Sequence, residues 1–152
     1  MANPNWKRMW EMGDKFIAIH ETLDLGARNL DFESGYVHQD RSCGTVACHG
    51  GWGAVIFGIK PDHDGLRRFG SGAGAISRFI GLDGAYDFER WAGENPVLWG
   101  NAQGGKLFDP SGYRAFDFYF NYKCTLKVIG NHYIAVAKRI RESEEEHNDG
   151  ES

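Results

Sequence analysis

The chain has 152 residues, of which 41% are hydrophobic and 14% are aromatic, and this composition predicts one folded domain rather than a disordered chain. The formal net charge is −4 and no long basic stretch occurs, which argues against nucleic-acid binding. No signal peptide or bilayer-spanning apolar run is visible and the cysteine count of three is odd, so we expect a cytoplasmic protein with reduced thiols and no membrane association.

An amphipathic helix of about 20 residues is the first predicted element. Asn3 is expected to cap this helix, with Pro4 at its first position. Apolar residues then recur at three- and four-residue steps, and they form the predicted core face: Met9, Met12, Phe16, Ile19 and Leu23. Gly26 is expected to end the helix.

A cysteine- and glycine-rich motif at residues 42–53 follows a predicted loop at 27–42. It leads into a helix that is predicted to end near Gly58. The helical spacing predicts a core face at Cys48, Trp52, Val55 and Ile59. A second stripe of small residues would let another helix or loop approach closely: Ala47, Gly51, Ala54 and Gly58.

The middle of the chain is predicted as short helices between loops. A phosphate-loop interpretation of residues 70–74 is rejected, because residues 66–69 make a poor strand and no Lys-Ser or Lys-Thr pair follows. Instead, this stretch is predicted as the lead-in to a helix with Ile76, Phe79 and Ile80 facing inward. The next helix is expected to be capped by Asp83, to carry Phe88 and Trp91, and to stop at Gly93, before a loop at 94–105.

Two periodicities compete near the carboxyl end of the chain. Apolar residues alternate over 116–128, as in a strand, whereas the pattern after Thr125 has helical spacing. We predict an extended segment at 116–123 and then a helix from Thr125 to about residue 145; a strand hairpin turning at Gly130 and Asn131 is the alternative. The chain is thus predicted to be mainly α with long loops, or else α+β, with one domain at 1–146 and an acidic disordered tail at 147–152.

The motif Cys43-Gly44-Thr45-Val46-Ala47-Cys48-His49-Gly50-Gly51-Trp52 resembles one found in small, uncharacterised bacterial and phage-encoded proteins. That group shares a Cys-Gly-Thr-x-x-Cys-x-x-Gly-Trp-like pattern, with a helix before it and a Leu-Gly-Leu-like element after it. Residues 79–82 match the latter element loosely, and His49 departs from the small or apolar residue that is usual at its position. The resemblance implies a mostly helical fold and a bacterial or phage setting, and it implies no activity.

Three hypotheses address the cysteine motif. In the first, the motif is structural, with Cys48 and Trp52 in the core, and the protein uses no cofactor. In the second, Cys43, Cys48 and His49 contribute to a zinc site, because the cysteine spacing fits the looser zinc-binding patterns. In the third, Cys43 is the nucleophile of a cysteine-dependent hydrolase and His132 is its base, since a thiol before a helix has a lowered pKa. This third hypothesis is plausible if the last segment is a strand; if the segment is a helix, His132 is merely a helix residue.

A recognition surface is the last candidate site. Trp91, Asn95, Trp99 and Asn101 combine tryptophans with amides, and tryptophan is enriched at binding hot spots. The alternative is that both tryptophans cover the core. The function expected from the sequence is therefore a small intracellular binding protein with a protein partner, encoded by a phage or mobile element, with the hydrolase and the zinc-stabilised domain as alternatives.

Overall fold

The computed structural model describes residues 2–22, 36–38, 49–58, 66–100 and 126–150, and this part of the chain is mainly α-helical, as the sequence predicts. These described ranges contain six helices and two short strands, in chain order: α1 (Trp6–Thr22), β1 (Tyr36–His38), α2 (His49–Ile56), β2 (Leu66–Arg68), α3 (Phe69–Phe79), α4 (Ala85–Glu94), α5 (Pro96–Trp99) and α6 (Leu126–Gly150). None of the helices in these ranges is long and apolar enough to cross a membrane.

Helices α1 and α6 pack against each other in antiparallel directions. The start of α1 lies beside the late part of α6, while Glu21 near its end forms an ion pair of 3.7 Å with Lys127. Between these points Gly13 and Gly130 meet: a Cβ atom on Gly13 would lie 2.5 Å from the Gly130 carbonyl oxygen, and the reverse distance would be 2.6 Å. Glycine at both positions therefore allows the two backbones to touch.

The segment before α1 is attached to the rest of the molecule. The Asn5 amide donates a hydrogen bond to the Ile80 carbonyl (2.7 Å), and the Trp91 indole N–H donates to Oδ1 of Asn3 (3.0 Å). Oδ1 of Asn5 accepts a hydrogen bond from the Arg8 amide, so Asn5 is the helix cap. The predicted cap at Asn3 was wrong by two residues, because Asn3 bonds to α4 instead.

The core is rich in aromatic side chains. Met9, Met12 and Phe16 of α1 are fully buried, as predicted from their spacing. Buried aromatic residues of α1, α4, α5 and α6 form one cluster, in which the rings meet mostly edge to face or at a tilt: Phe16, Phe88, Trp91, Trp99 and Tyr133. Such edge-to-face contacts are favourable because the positive ring edge meets the negative ring face.

Helices α2 and α3 also approach closely through a glycine. A Cβ atom on Gly53 would lie 2.5 Å from Cδ1 of Ile76 and 2.9 Å from the Gly72 carbonyl oxygen. This close approach is made by Gly53, which is not part of the predicted small-residue stripe, so it does not confirm that stripe. Trp52 is buried as expected. Gly58 follows α2 with a φ of +64°, a left-handed conformation that favours glycine at a helix end. Cys48 and Ile59 lie outside the described residues.

Two predictions about residues 66–74 were wrong. Residues 66–68 form β2, which pairs antiparallel with β1 in the register Tyr36–Arg68, Val37–Arg67 and His38–Leu66. Helix α3 then begins at Phe69, so the glycine-rich stretch is helical rather than a flexible lead-in. Glycine disfavours helix, but the close packing of α3 on α2 supplies tertiary contacts that local sequence does not show.

The last three helices extend or correct the predicted elements. Helix α4 carries Phe88 and Trp91 as predicted, and both are buried, but α4 continues past Gly93 to Glu94. Helix α5 lies where a loop was predicted, with Pro96 at its start and Gly100 at its end. Helix α6 confirms the predicted helix over the alternative hairpin, and it continues to Gly150, so it includes residues 147–150 of the predicted tail. The predicted extended segment at 116–123 lies outside the described residues.

Candidate functional site

The structure describes the predicted base but not the predicted nucleophile. Cys43 lies outside the described residues, whereas His132 is on α6. The His132 ring packs against the edge of Trp99, with centroids 4.6 Å apart. Its pKa is lowered from 6.5 to about 4, mainly by burial and further by the charge of Arg139, against the effect of a hydrogen bond with the Trp99 backbone. A base of this pKa is poorly matched to a thiol, whose ordinary pKa is about 8.5.

The predicted zinc ligands are mostly beyond the described ranges. Cys43 and Cys48 lie outside them, and His49 is the first residue of α2, with a side chain that is not described. Within the described residues, no group of three or more histidine, cysteine, aspartate or glutamate side chains is arranged to hold a metal ion. The zinc hypothesis therefore stays a prediction.

The two tryptophans of the predicted recognition surface lie in the interior. Trp91 and Trp99 are fully buried, so their rings do not form the exposed surface that this hypothesis requires. Asn95 is at the junction of α4 and α5, where its Nδ2 donates to the Trp91 carbonyl at 2.8 Å. Asn101 lies outside the described residues. The difference arises because residues 96–99 form a helix that turns Trp99 inward.

Another pair of tryptophans lies at the surface. Trp6 and Trp10 are four residues apart on α1, and both are half-buried against the edge of the core. The guanidinium carbon of Arg141 lies 5.5 Å from the Trp6 ring centroid and 5.7 Å from that of Trp10. Lys7 and Lys138 each add an ammonium group over one ring, at 5.6 Å for Trp6 and 5.2 Å for Trp10. We call these five residues the tryptophan–cation face.

The cations of this face are available to an external partner. Lys7 and Lys138 are exposed and Arg141 is half-buried. In the described part of the chain none of the three makes an ion pair, and each is held by a tryptophan ring instead. A cation–π contact leaves the charge uncompensated, because the ring carries a quadrupole and no net charge. Local positive charge therefore stands on a chain whose net charge is −4.

An open depression continues from this face around the start of α1. It has a volume of about 360 Å³ and is lined by Asn3, Pro4, Asn5, Trp6, Lys7, Gly81 and Glu144. Several backbone and side-chain positions in its floor are fixed by the hydrogen bonds of the segment before α1. The surface next to Trp6 is therefore shaped before any partner binds.

Each half of the tryptophan–cation face has a recognisable spacing in the sequence, but the sequence does not show that the two halves meet. Trp6 and Trp10 have the spacing of one helical turn, and Lys138 and Arg141 have a similar spacing in α6. The two pairs become one site because α1 and α6 are antiparallel neighbours, which local periodicity does not specify. No protein-family model, curated protein or solved structure matches the chain.

Proposed function

We propose that this protein is a small intracellular binding protein that contacts a protein partner through the tryptophan–cation face. The observation that carries the proposal is the pair of half-buried tryptophans, Trp6 and Trp10, with cations on their rings. Tryptophan and arginine are the residue types most enriched at the energetic centres of protein interfaces. A bacterial or phage setting follows from the resemblance of the motif at 43–52 and is part of the same proposal.

The physical basis for binding is the exposed remainder of the two indole rings. Each ring is anchored to the core on one side, so little side-chain freedom is lost when a partner covers the other side. The cations on the ring faces provide hydrogen-bond donors for carboxylate or carbonyl groups of the partner. The face therefore combines apolar area with orienting polar groups, as interface centres do.

Substitution of one tryptophan tests the proposal. The full chain is cross-linked to its partners, which are identified by mass spectrometry, and affinity for the purified partner is then measured. Trp10→Ala should weaken that affinity by about thirtyfold, since a truncated hot spot costs about 2 kcal/mol or more. Val97→Ala is the control, because Val97 is 85% exposed and belongs to α5, whereas the face is carried by α1 and α6. Equal affinity of wild type and Trp10→Ala, with both proteins folded by circular dichroism, would refute the proposal.

A further inference from the structure

A stripe of four charged residues on α6 adjoins the tryptophan–cation face. Lys138, Arg141, Glu142 and Glu145 follow one another at steps of three, one and three residues, so all four lie on the same side of the helix. Lys138 and Arg141 are the residues that cover Trp10 and Trp6. Both glutamates are exposed. The stripe and the two tryptophans therefore belong to one continuous surface.

Within the described ranges, the charges of this stripe are not neutralised by ion pairs. Among the residues that the structure describes, neither glutamate has an ion-pair partner, although each follows a cation of the stripe by four residues. A helix pairs such charges less well when the cation comes first in sequence, as it does here. Glu142 is also followed by Glu145 and Glu146 at three and four residues, a spacing at which like charges repel.

The order of charges along the stripe is self-complementary. Read towards the carboxyl end, the four residues are positive, positive, negative and negative. If a second α6 lay across the stripe in the antiparallel direction, with a two-fold axis between Arg141 and Glu142, Lys138 would face Glu145 of the other copy. Arg141 would face Glu142 of the other copy, and each contact would occur twice, as two-fold symmetry requires.

We propose that the partner of the tryptophan–cation face is a second copy of this chain, joined to the first by antiparallel contact of the two α6 stripes. This inference rests on the proposed function, because it names the partner of the same face. Four intermolecular ion pairs set the register and orientation of the two copies. Exposed ion pairs contribute little affinity by themselves, so the exposed parts of Trp6 and Trp10, which lie beside Arg141 and Lys138 of the stripe, add apolar contact area to the interface.

Charge reversal of each half of the stripe tests the self-association. Sedimentation velocity of the full chain is measured from about 1 to 100 μM, a range in which a micromolar dimer dissociates. The wild type should dimerise, and added salt should weaken the dimer because exposed charges are screened. Two double variants, Lys138→Glu with Arg141→Glu and Glu142→Lys with Glu145→Lys, should each raise the dimer dissociation constant at least about tenfold. Each would place like charges opposite one another.

Mixing the two double variants gives the decisive measurement. An equimolar mixture should form a one-to-one dimer again, because every pair across the axis is then of opposite charge. Arg90→Glu is the control, since Arg90 is an exposed cation of α4 that pairs with Glu94. If the first double variant loses helicity, the second decides the matter, because it changes exposed glutamates alone.

Three outcomes would overturn the inference: a monomeric wild type, unchanged association of the glutamate variant, or no dimer in the mixture of two folded variants. If the wild type is monomeric but binds a different, purified protein, and Trp10→Ala loses that binding, the proposed function stands and only the self-association is refuted. Loss of dimer in the charge variants and in Trp10→Ala would support both.

Discussion

Trp99 illustrates how much of the interior depends on one side chain. Its ring makes edge contacts with Phe88 at 5.4 Å, Trp91 at 6.3 Å and Tyr133 at 6.0 Å. Trp99→Ala should lower the free energy of unfolding by about 3–5 kcal/mol, because it removes buried apolar area and leaves a cavity. Urea denaturation measures this loss.

Val97 provides the matched control for this substitution. It lies on the same short helix but is 85% exposed, so Val97→Ala should change stability by less than about 0.5 kcal/mol. Similar losses for the two variants would contradict the buried position of Trp99.

The lowered pKa of His132 should make the free energy of unfolding depend on pH. Its pKa is about 4 in the folded protein, mainly because burial disfavours the charged ring, and near 6.5 in the unfolded chain. The unfolded chain therefore binds the proton more readily, so the contribution of His132 is complete above about pH 6.5 and is lost as the pH falls towards 4. The loss should reach about 3 kcal/mol at most.

Denaturation of the wild type and His132→Gln at pH 8 and pH 4.5 checks this dependence. The comparison at pH 8 gives the packing cost of the substitution, and the additional loss at pH 4.5 should occur in the wild type alone. A decline of equal size in the variant would assign the pH dependence to other groups.

The cysteine hypotheses show the limit of prediction at the scale of residues. Helical spacing placed Trp52 in the core correctly, because burial of a large apolar side chain follows from periodicity. A thiol nucleophile or a zinc site depends on which side chains meet across the fold, and spacing within one motif does not determine that. The roles of Cys43 and Cys48 stay predictions, which thiol labelling and elemental analysis for zinc can test.

Among the elements, the pair α1–α6 depends on two glycines. Gly→Ala within a helix ordinarily stabilises by up to about 1 kcal/mol. At Gly13 or Gly130 it should instead destabilise by about 1–3 kcal/mol, because the added methyl group meets the backbone of the other helix at 2.5–2.6 Å. Thermal or urea unfolding measures the change in stability.

Gly74 on α3 is the control for this prediction. A Cβ atom there would meet the Arg78 guanidinium at 3.1 Å, and this flexible side chain can move aside. Gly74→Ala should therefore be neutral or stabilising. A gain in stability from Gly13→Ala would show that the two helices are further apart than described.

Short elements could not be predicted because their support comes from distant residues. Helix α5 has four residues, and Nη1 of Arg139 on α6 lies within hydrogen-bonding distance of the Leu98 and Trp99 carbonyls at its end, 3.2 and 3.4 Å away. Strand β2 likewise exists through its pairing with β1. The long helices α1 and α6 were predictable because each repeats its apolar spacing over several turns.

At the scale of the whole molecule, the mainly helical fold class was predictable from the sequence, but the relative placement of the helices was not. The tryptophan–cation face requires α1 and α6 to be neighbours, and the local sequence of neither helix indicates that it packs against the other. The core residues Met9, Met12 and Phe16 were predictable from α1 alone, whereas the site formed with Lys138 and Arg141 was not. A site shared between elements therefore needs the fold before it can be recognised.

The pairing of α1 with α6 has a consequence for the order in which the protein is made. A ribosome completes Trp6–Thr22 before Leu126–Gly150, so the nascent α1 has no α6 to cover it while the residues between them are made. Its apolar stripe of Met9, Met12 and Phe16 is then exposed to other nascent chains and to chaperones. A messenger RNA truncated before the codons of α6 would yield a product that keeps the apolar stripe of α1 but lacks the helix that covers it, and such a product should aggregate readily.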